Sequence, residues 1–238
     1  MLDSPPIRRL ASAILIAVPI LVIISIALGT LSGSDESVFE PDLVDELLVS
    51  TQENLPVYFT SVGFGIAADV MALGVAAVVY LMFRDRHRLL AMVGAFGILA
   101  AAIGGFTSDA ADLTLGFLAE DFVTGGATGV QAGDPVILEV ARAVGMAGAS
   151  ALQVAWTALG SGLIALGAVI IWAPGGELNP PRWLGWWVLI IGFIWYFTWF
   201  AAVSDAAFAL VILGLLGTEL WVATLGIWLL RREANARV

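Results

Sequence analysis

A chain of 238 residues that is 60% hydrophobic and only 13% charged has too little polar surface to cover itself in water, so it belongs in a bilayer. It has no cysteine and a single histidine, His87, which excludes disulfides, thiolate metal sites, cysteine nucleophiles and the imidazole-rich metal or proton-relay sites. The net charge of −10 has to be read by membrane side, and all ten basic residues are arginine, which excludes a Schiff base on a membrane lysine.

Six stretches can cross about 30 Å of hydrocarbon, which takes roughly 20 helical residues each. They are residues 10–31, 57–83, 89–118, 136–172, 183–203 and 206–230. Their apolar runs are continuous and not alternating, which excludes a membrane barrel. The predicted fold is all-α, a six-helix transmembrane bundle forming a single integral membrane domain over 1–238. With the N-terminus cytoplasmic, an even count returns the C-terminus to the cytoplasm. Nine of the ten arginines then lie inside and only Arg142 outside, while most carboxylates lie outside. The first span begins basic and ends on small residues as a signal peptide does. Its apolar run of about 20 residues exceeds a signal core, so it is read as retained, with a kink at Pro19.

Between the first two spans, 33–56 is an acidic outer loop in which Leu43, Val44, Leu47 and Leu48 recur at helical spacing. Pro41 suits a first helical turn, and Asp42, Asp45 and Glu46 suit the positive end of the helix dipole. The pattern predicts a short amphipathic helix lying on the outer surface. The second, third and fourth spans are longer than a bilayer requires and are expected to extend on the outer side. The stretch "AEDFVTGGATGVQAGDP", 119–135, joins two of them. It lacks the strand and lysine of a phosphate-cradling loop and reads as a connector. No internal repeat is visible, which speaks against a transporter built from inverted halves.

The polar residues at membrane depth carry what functional signal there is. Counted from the arginine-marked edges, Glu219 lies about 16 Å up the sixth span and Asp69 about 21 Å up the second. Asp109, Asp205 and Gln153 fall near the outer boundary, with Asp112 one turn beyond. A charged carboxylate at the midplane costs several kcal/mol, so Glu219 must be neutral, paired or facing a wet cavity. Ser61, Gly65 and Asp69 share a face with Ala68, Ala72 and Ala76 beside it, a small-residue pattern that turns Asp69 toward the bundle. Glu219, Ala223 and Gly226 share a face in the same way, as do Gly105, Asp109 and Asp112. Three roles compete for these acids: hydrogen-bonded glue between helices, a proton or cation path through Asp69, Glu219, Asp109, Asp112 and Asp205, or a carboxylate hydrolase or metalloenzyme with an all-oxygen site.

Among the nine tryptophans, Trp172, Trp183, Trp186 and Trp187 beside Arg182 read as an interfacial aromatic belt. The run "WYFTWF" is different. Trp195, Tyr196 and Trp199, with Trp156 and Gln153, are candidates to line an apolar pocket for a lipid, quinone or pigment-like molecule, against helix packing or lipid contact.

Tyr80 and Leu81, the basic loop with Arg84, Arg86 and Arg88, and then Leu90 and Ala91 are followed later by Pro181, Arg182, Leu184 and Gly185. This arrangement, over roughly 57–192, resembles a bacterial six-helix membrane family known as domain of unknown function four-three-eight-six. The resemblance implies the six-helix architecture and carries no assigned chemistry. The sequence reading is therefore a multi-pass protein of the cell (plasma) membrane with no evident catalytic motif. Its expected role is that of a partner-binding or accessory component, and the alternative is a small proton- or cation-coupled transporter. The bilayer and other membrane subunits are its expected partners, nucleic acid is not, and the sequence leaves any cofactor unknown.

Overall fold

The computed structural model describes residues 4–32, 43–125, 132–173, 178–198 and 205–235. All its regular structure is α-helical: α1 (Pro5–Ser32), α2 (Val44–Glu53), α3 (Leu55–Phe83), α4 (Arg88–Thr124), α5 (Pro135–Trp172), α6 (Arg182–Phe197) and α7 (Asp205–Asn235). Five of these, α1, α3, α4, α5 and the Ala209–Arg232 part of α7, are long and apolar enough to cross a membrane. Against the six expected spans, α6 is apolar but only 16 residues long, about 24 Å. At its last described residue the Thr198 hydroxyl donates to the Trp195 carbonyl at 2.7 Å. Residues 199–203 of the predicted span lie outside the described residues.

The helix ends follow from the residues there. The α3–α4 turn closes with the Arg86 and His87 amides on the Phe83 carbonyl, and His87 Nδ1 accepts from the Leu90 amide at 3.3 Å. The lone histidine thus serves the start of α4 as a cap. Gly125, at φ 82°, ends α4 in the left-handed conformation that glycine adopts without strain, its amide donating to Asp121 O at 3.0 Å. Asp134 Oδ1 accepts from the Val136 amide at 2.8 Å and Pro135 occupies the first turn, so α5 starts with a cap and a proline.

The chain forms two compact units. Unit 1 comprises Met1–Ile20, Ala68–Ile103 and Gln153–Val238. Its α4, α5 and α6 run antiparallel and meet at glycines. A methyl placed on Gly97 would stand 2.7 Å from both the Ala158 carbonyl oxygen and Gly162 Cα. One on Gly160 would stand 2.8 Å from the Gly192 oxygen, and one on Gly167 the same distance from the Gly185 oxygen. These backbones touch, which is how membrane helices gain packing when lipid is as apolar as they are. On α7, Gly214 and Gly217 receive Trp195 and Ile191 of α6, and Gly226 lies against Ser12 and Leu15 of α1.

Unit 2 comprises Leu21–Ala67 and Gly104–Leu152. Here α2 docks as the amphipathic pattern requires: Val44 and Leu48 are buried in one cluster with Leu115 and Ala119 of α4 and Ile137 and Ala141 of α5. Asp45, Glu46, Val49 and Glu53 face away and are exposed. The expected Leu43 contact is absent, since that side chain is exposed, and Pro41 and Asp42 lie outside the described residues. Ser25 and Ser61 tie α1 to α3, each hydroxyl donating to the other's carbonyl at 3.0 Å. The buried Tyr58 donates its phenol to the Asp112 carbonyl at 2.8 Å.

Candidate functional site

Asp69 and Glu219 belong to unit 1, and Asp109 and Asp112 to unit 2. Asp205 opens α7, but its side chain lies outside the described residues. Asp69 is half-buried on α3 between the buried Ala68 and Ala76 and the exposed Val70 and Leu73. It sits beside the buried small-residue face of α3, with the exposed residues adjoining.

Glu219 occupies the corresponding border of α7. It shares a helical face with Gly226, whose position meets Leu15 and Ser12 of α1, because seven residues return a helix to nearly the same angle. Thr218, one residue away, points to α6: it accepts from Trp195 Nε1 at 3.0 Å and donates to the Gly214 carbonyl at 2.7 Å. Glu219 has no such partner. Its Oε2 is closed off from solvent with no hydrogen bond among the described residues, although burying such an acceptor unmet costs about 1–3 kcal/mol or more.

In unit 2, the Asp109 carboxylate fills the space that Gly65 leaves on α3: a methyl there would stand 2.8 Å from Oδ1. Asp112 is half-buried and takes part through its backbone carbonyl, which receives Tyr58. Arg142 pairs with Glu139 at 2.6 Å, one turn away on α5. Among the described residues no group of three or more histidines and acids is placed to hold a metal ion.

The aromatic candidates form a packed polar network. Trp195 is buried at 1% exposure, packs tilted against Trp156 at 5.1 Å between centroids and donates to Thr218. Gln153 Nε2 donates to the Thr198 hydroxyl at 3.3 Å. Tyr196, by contrast, is exposed and shares a hydrogen bond with Ser161. Trp199 lies outside the described residues. The indole that was a candidate pocket wall fills the space beside Gly214, where a methyl would stand 3.1 Å from its ring.

Sequence reasoning missed the hydroxyls that complete this network, Thr198, Thr218 and Ser161. For Thr198 and Thr218 the available signal was a position within one turn of a tryptophan on an apolar helix. It also passed over Arg86 as one more interfacial charge. Arg86 Nη2 donates to the Leu178 carbonyl at 3.0 Å and to Asn179 Oδ1, tying the α3–α4 turn to the link that follows α5. Burial, and after it the charge of Arg232, lower the Arg86 guanidinium below its ordinary pKa.

The fold and these residues define an all-α, multi-pass membrane protein without a catalytic-looking constellation among the described residues. Comparison with known proteins returns no match, whether to a family model, a curated protein or a solved structure.

Proposed function

We propose that the protein is a non-enzymatic component of the cell membrane that crosses it six times, has both termini in the cytoplasm and engages other membrane subunits. The observation that carries this reading is the backbone contact at Gly97–Gly162, Gly160–Gly192 and Gly167–Gly185, which makes α4, α5 and α6 a stiff plate of the kind a scaffold needs. The short α6 counts as a span because a bilayer thins around an apolar helix at a cost of fractions of a kcal/mol per Å. The docked α2 gives the acidic side an ordered surface for a partner. The reading takes nothing from the family resemblance.

Because the chain has no cysteine, any introduced cysteine is its only thiol. An impermeant thiol reagent applied to intact cells is expected to label Val49→Cys and Ala132→Cys at once, and Asp85→Cys and Arg231→Cys only after permeabilisation. Labelling of Arg231→Cys from the same side as Val49→Cys would show that α6 does not span and would end the six-span reading.

A second reading, a small proton- or cation-coupled transporter, is favoured by one observation, the unmet Oε2 of Glu219 within a candidate span. In liposomes it predicts a pH-dependent flux that Glu219→Gln and Asp69→Asn abolish while both variants stay folded. No flux from the unmodified protein selects the scaffold.

A further inference from the structure

An apolar row on α7 faces away from the helices packed against it: Leu213, Leu216, Leu220, Ile227 and Leu230 are exposed and Ala223 is half-buried. Their spacing, three and four residues in turn, is a heptad seam, the period at which parallel helices wind left-handedly around one another. The row runs about 26 Å along the helix, most of the hydrocarbon thickness. Exposed apolar residues by themselves call for nothing more than lipid, and they face outward on α4 and α6 as well. What marks α7 is the polar pair that borders its row.

Glu219 precedes Leu220 and flanks the row on the side of Gly226, toward α1, while Thr224 follows Ala223 and flanks the other side. Both residues are half-buried. Glu219 makes no hydrogen bond or ion pair among the described residues, and of its two carboxyl oxygens only Oε2 is closed off within the chain, so Oε1 is left for a neighbour. Thr224 Oγ1 donates its hydrogen to the Leu220 carbonyl at 2.6 Å, which leaves the hydroxyl oxygen as an acceptor. Acyl chains offer neither group a partner, whereas a second helix laid on the row can.

We infer that this row is the interface with a second copy of the chain, a two-fold dimer in which α7 lies along the partner's α7 and the protonated Glu219 carboxyl donates to the hydroxyl oxygen of the partner's Thr224. The spacing is what selects a second copy. In a parallel heptad pair, a residue on one flank of the seam meets the residue five positions on from the opposite flank of the partner, and Thr224 stands five residues after Glu219. Two copies inserted in a bilayer with the same orientation are related by an axis along the membrane normal, which makes their α7 helices parallel and forms the bond twice. The chain therefore carries both the donor and the acceptor that its own dimer requires. The inference rests on the proposed engagement with other membrane subunits and names a second copy as one of them.

The test uses the full-length protein in phosphatidylcholine liposomes. The chain has no cysteine, so Leu220→Cys or Ile227→Cys places a single thiol in the seam, and Ile190→Cys places one on the exposed face of α6 as a control. Oxidation with copper phenanthroline is expected to join copies through Leu220→Cys and Ile227→Cys and not through Ile190→Cys. Energy transfer between copies carrying donor and acceptor dyes at Asp85→Cys, followed as the protein is diluted in lipid, reads the affinity of the pair. Glu219→Leu and Thr224→Val should each weaken it about tenfold, the ~1.4 kcal/mol that two such bonds supply, while Glu219→Gln, which keeps a donor, should stay within about threefold of the unmodified protein. Glu219→Leu is expected to stabilise the isolated chain, so weaker pairing in that variant is not misfolding, and Thr224→Val keeps the test decisive should it fold poorly. Equal cross-linking through Ile190→Cys, a monomer at every dilution, or a dimer indifferent to both Glu219→Leu and Thr224→Val overturns the interface. Each of these would exclude self-pairing through α7 and leave the engagement of other subunits to be judged by thiol labelling and the glycine contacts.

Discussion

Gly97→Ala and Gly162→Ala each lower the stability of the purified protein by about 1–3 kcal/mol, the usual cost of forcing a methyl into a closed contact. The physical reason is what the methyl meets. On Gly97 it would stand 2.7 Å from the Ala158 carbonyl oxygen and Gly162 Cα, and on Gly162 it would stand 2.9 Å from the Gly94 oxygen and Gly97 Cα. Backbone cannot rotate aside as a side chain can, so α4 and α5 must separate and lose the contacts on both flanks. Gly63→Ala is the matched control: nothing lies within 4 Å of a methyl at that helical position. There the substitution should stabilise by about 0.5–1 kcal/mol through reduced backbone entropy. The double variant Gly97→Ala/Gly162→Ala should lose less than the sum, because both methyls open the same gap. Thermal unfolding of all four in one detergent decides it. If Gly97→Ala behaves like Gly63→Ala, the backbone contact that carries the proposed scaffold is absent.

Glu219→Leu raises stability by about 1–3 kcal/mol, the penalty of a buried acceptor left unmet. The substitution removes the carboxyl oxygens, Oε2 among them, and fills much of the same volume with methyl groups. Glu219→Gln keeps a polar group at the place and should leave stability close to that of the unmodified protein, so the pair separates polarity from size. A stabilised Glu219→Leu protein that has also lost a pH-dependent flux would identify Glu219 as a group kept for function at the expense of the fold. Destabilisation by Glu219→Leu would instead mean that the carboxyl is satisfied, and the transporter reading would lose the observation that supports it.

Much of this was legible along the chain because it depends on neighbours a few residues away. A bilayer has no water to satisfy backbone groups, so continuous apolar runs have to be helices, and the long α3, α4 and α5 follow from run length alone. The α2 face was legible for the same reason: Val44 and Leu48 are one turn apart, and one side of a short helix must be covered. Where the arrangement could not be read along the chain, a non-local partner was involved. The Trp195 indole fills space beside Gly214, since the glycine and the Thr218 hydroxyl that receive it come from α7, nearly twenty or more residues on.

By itself, then, the sequence determined that the chain lives in a membrane and where its helices begin and end to within a turn or so in most cases, since hydropathy and helical periodicity are local properties. Only the tertiary structure decided which glycines meet which backbones, that Trp195 is buried while Tyr196 is exposed, that Glu219 Oε2 is left without a partner among the described residues, and that Arg86 reaches Leu178 and Asn179. Those outcomes depend on the register between helices distant in the chain, and a shift of one residue, about 1.5 Å along the axis and 100° around it, would change every one of them.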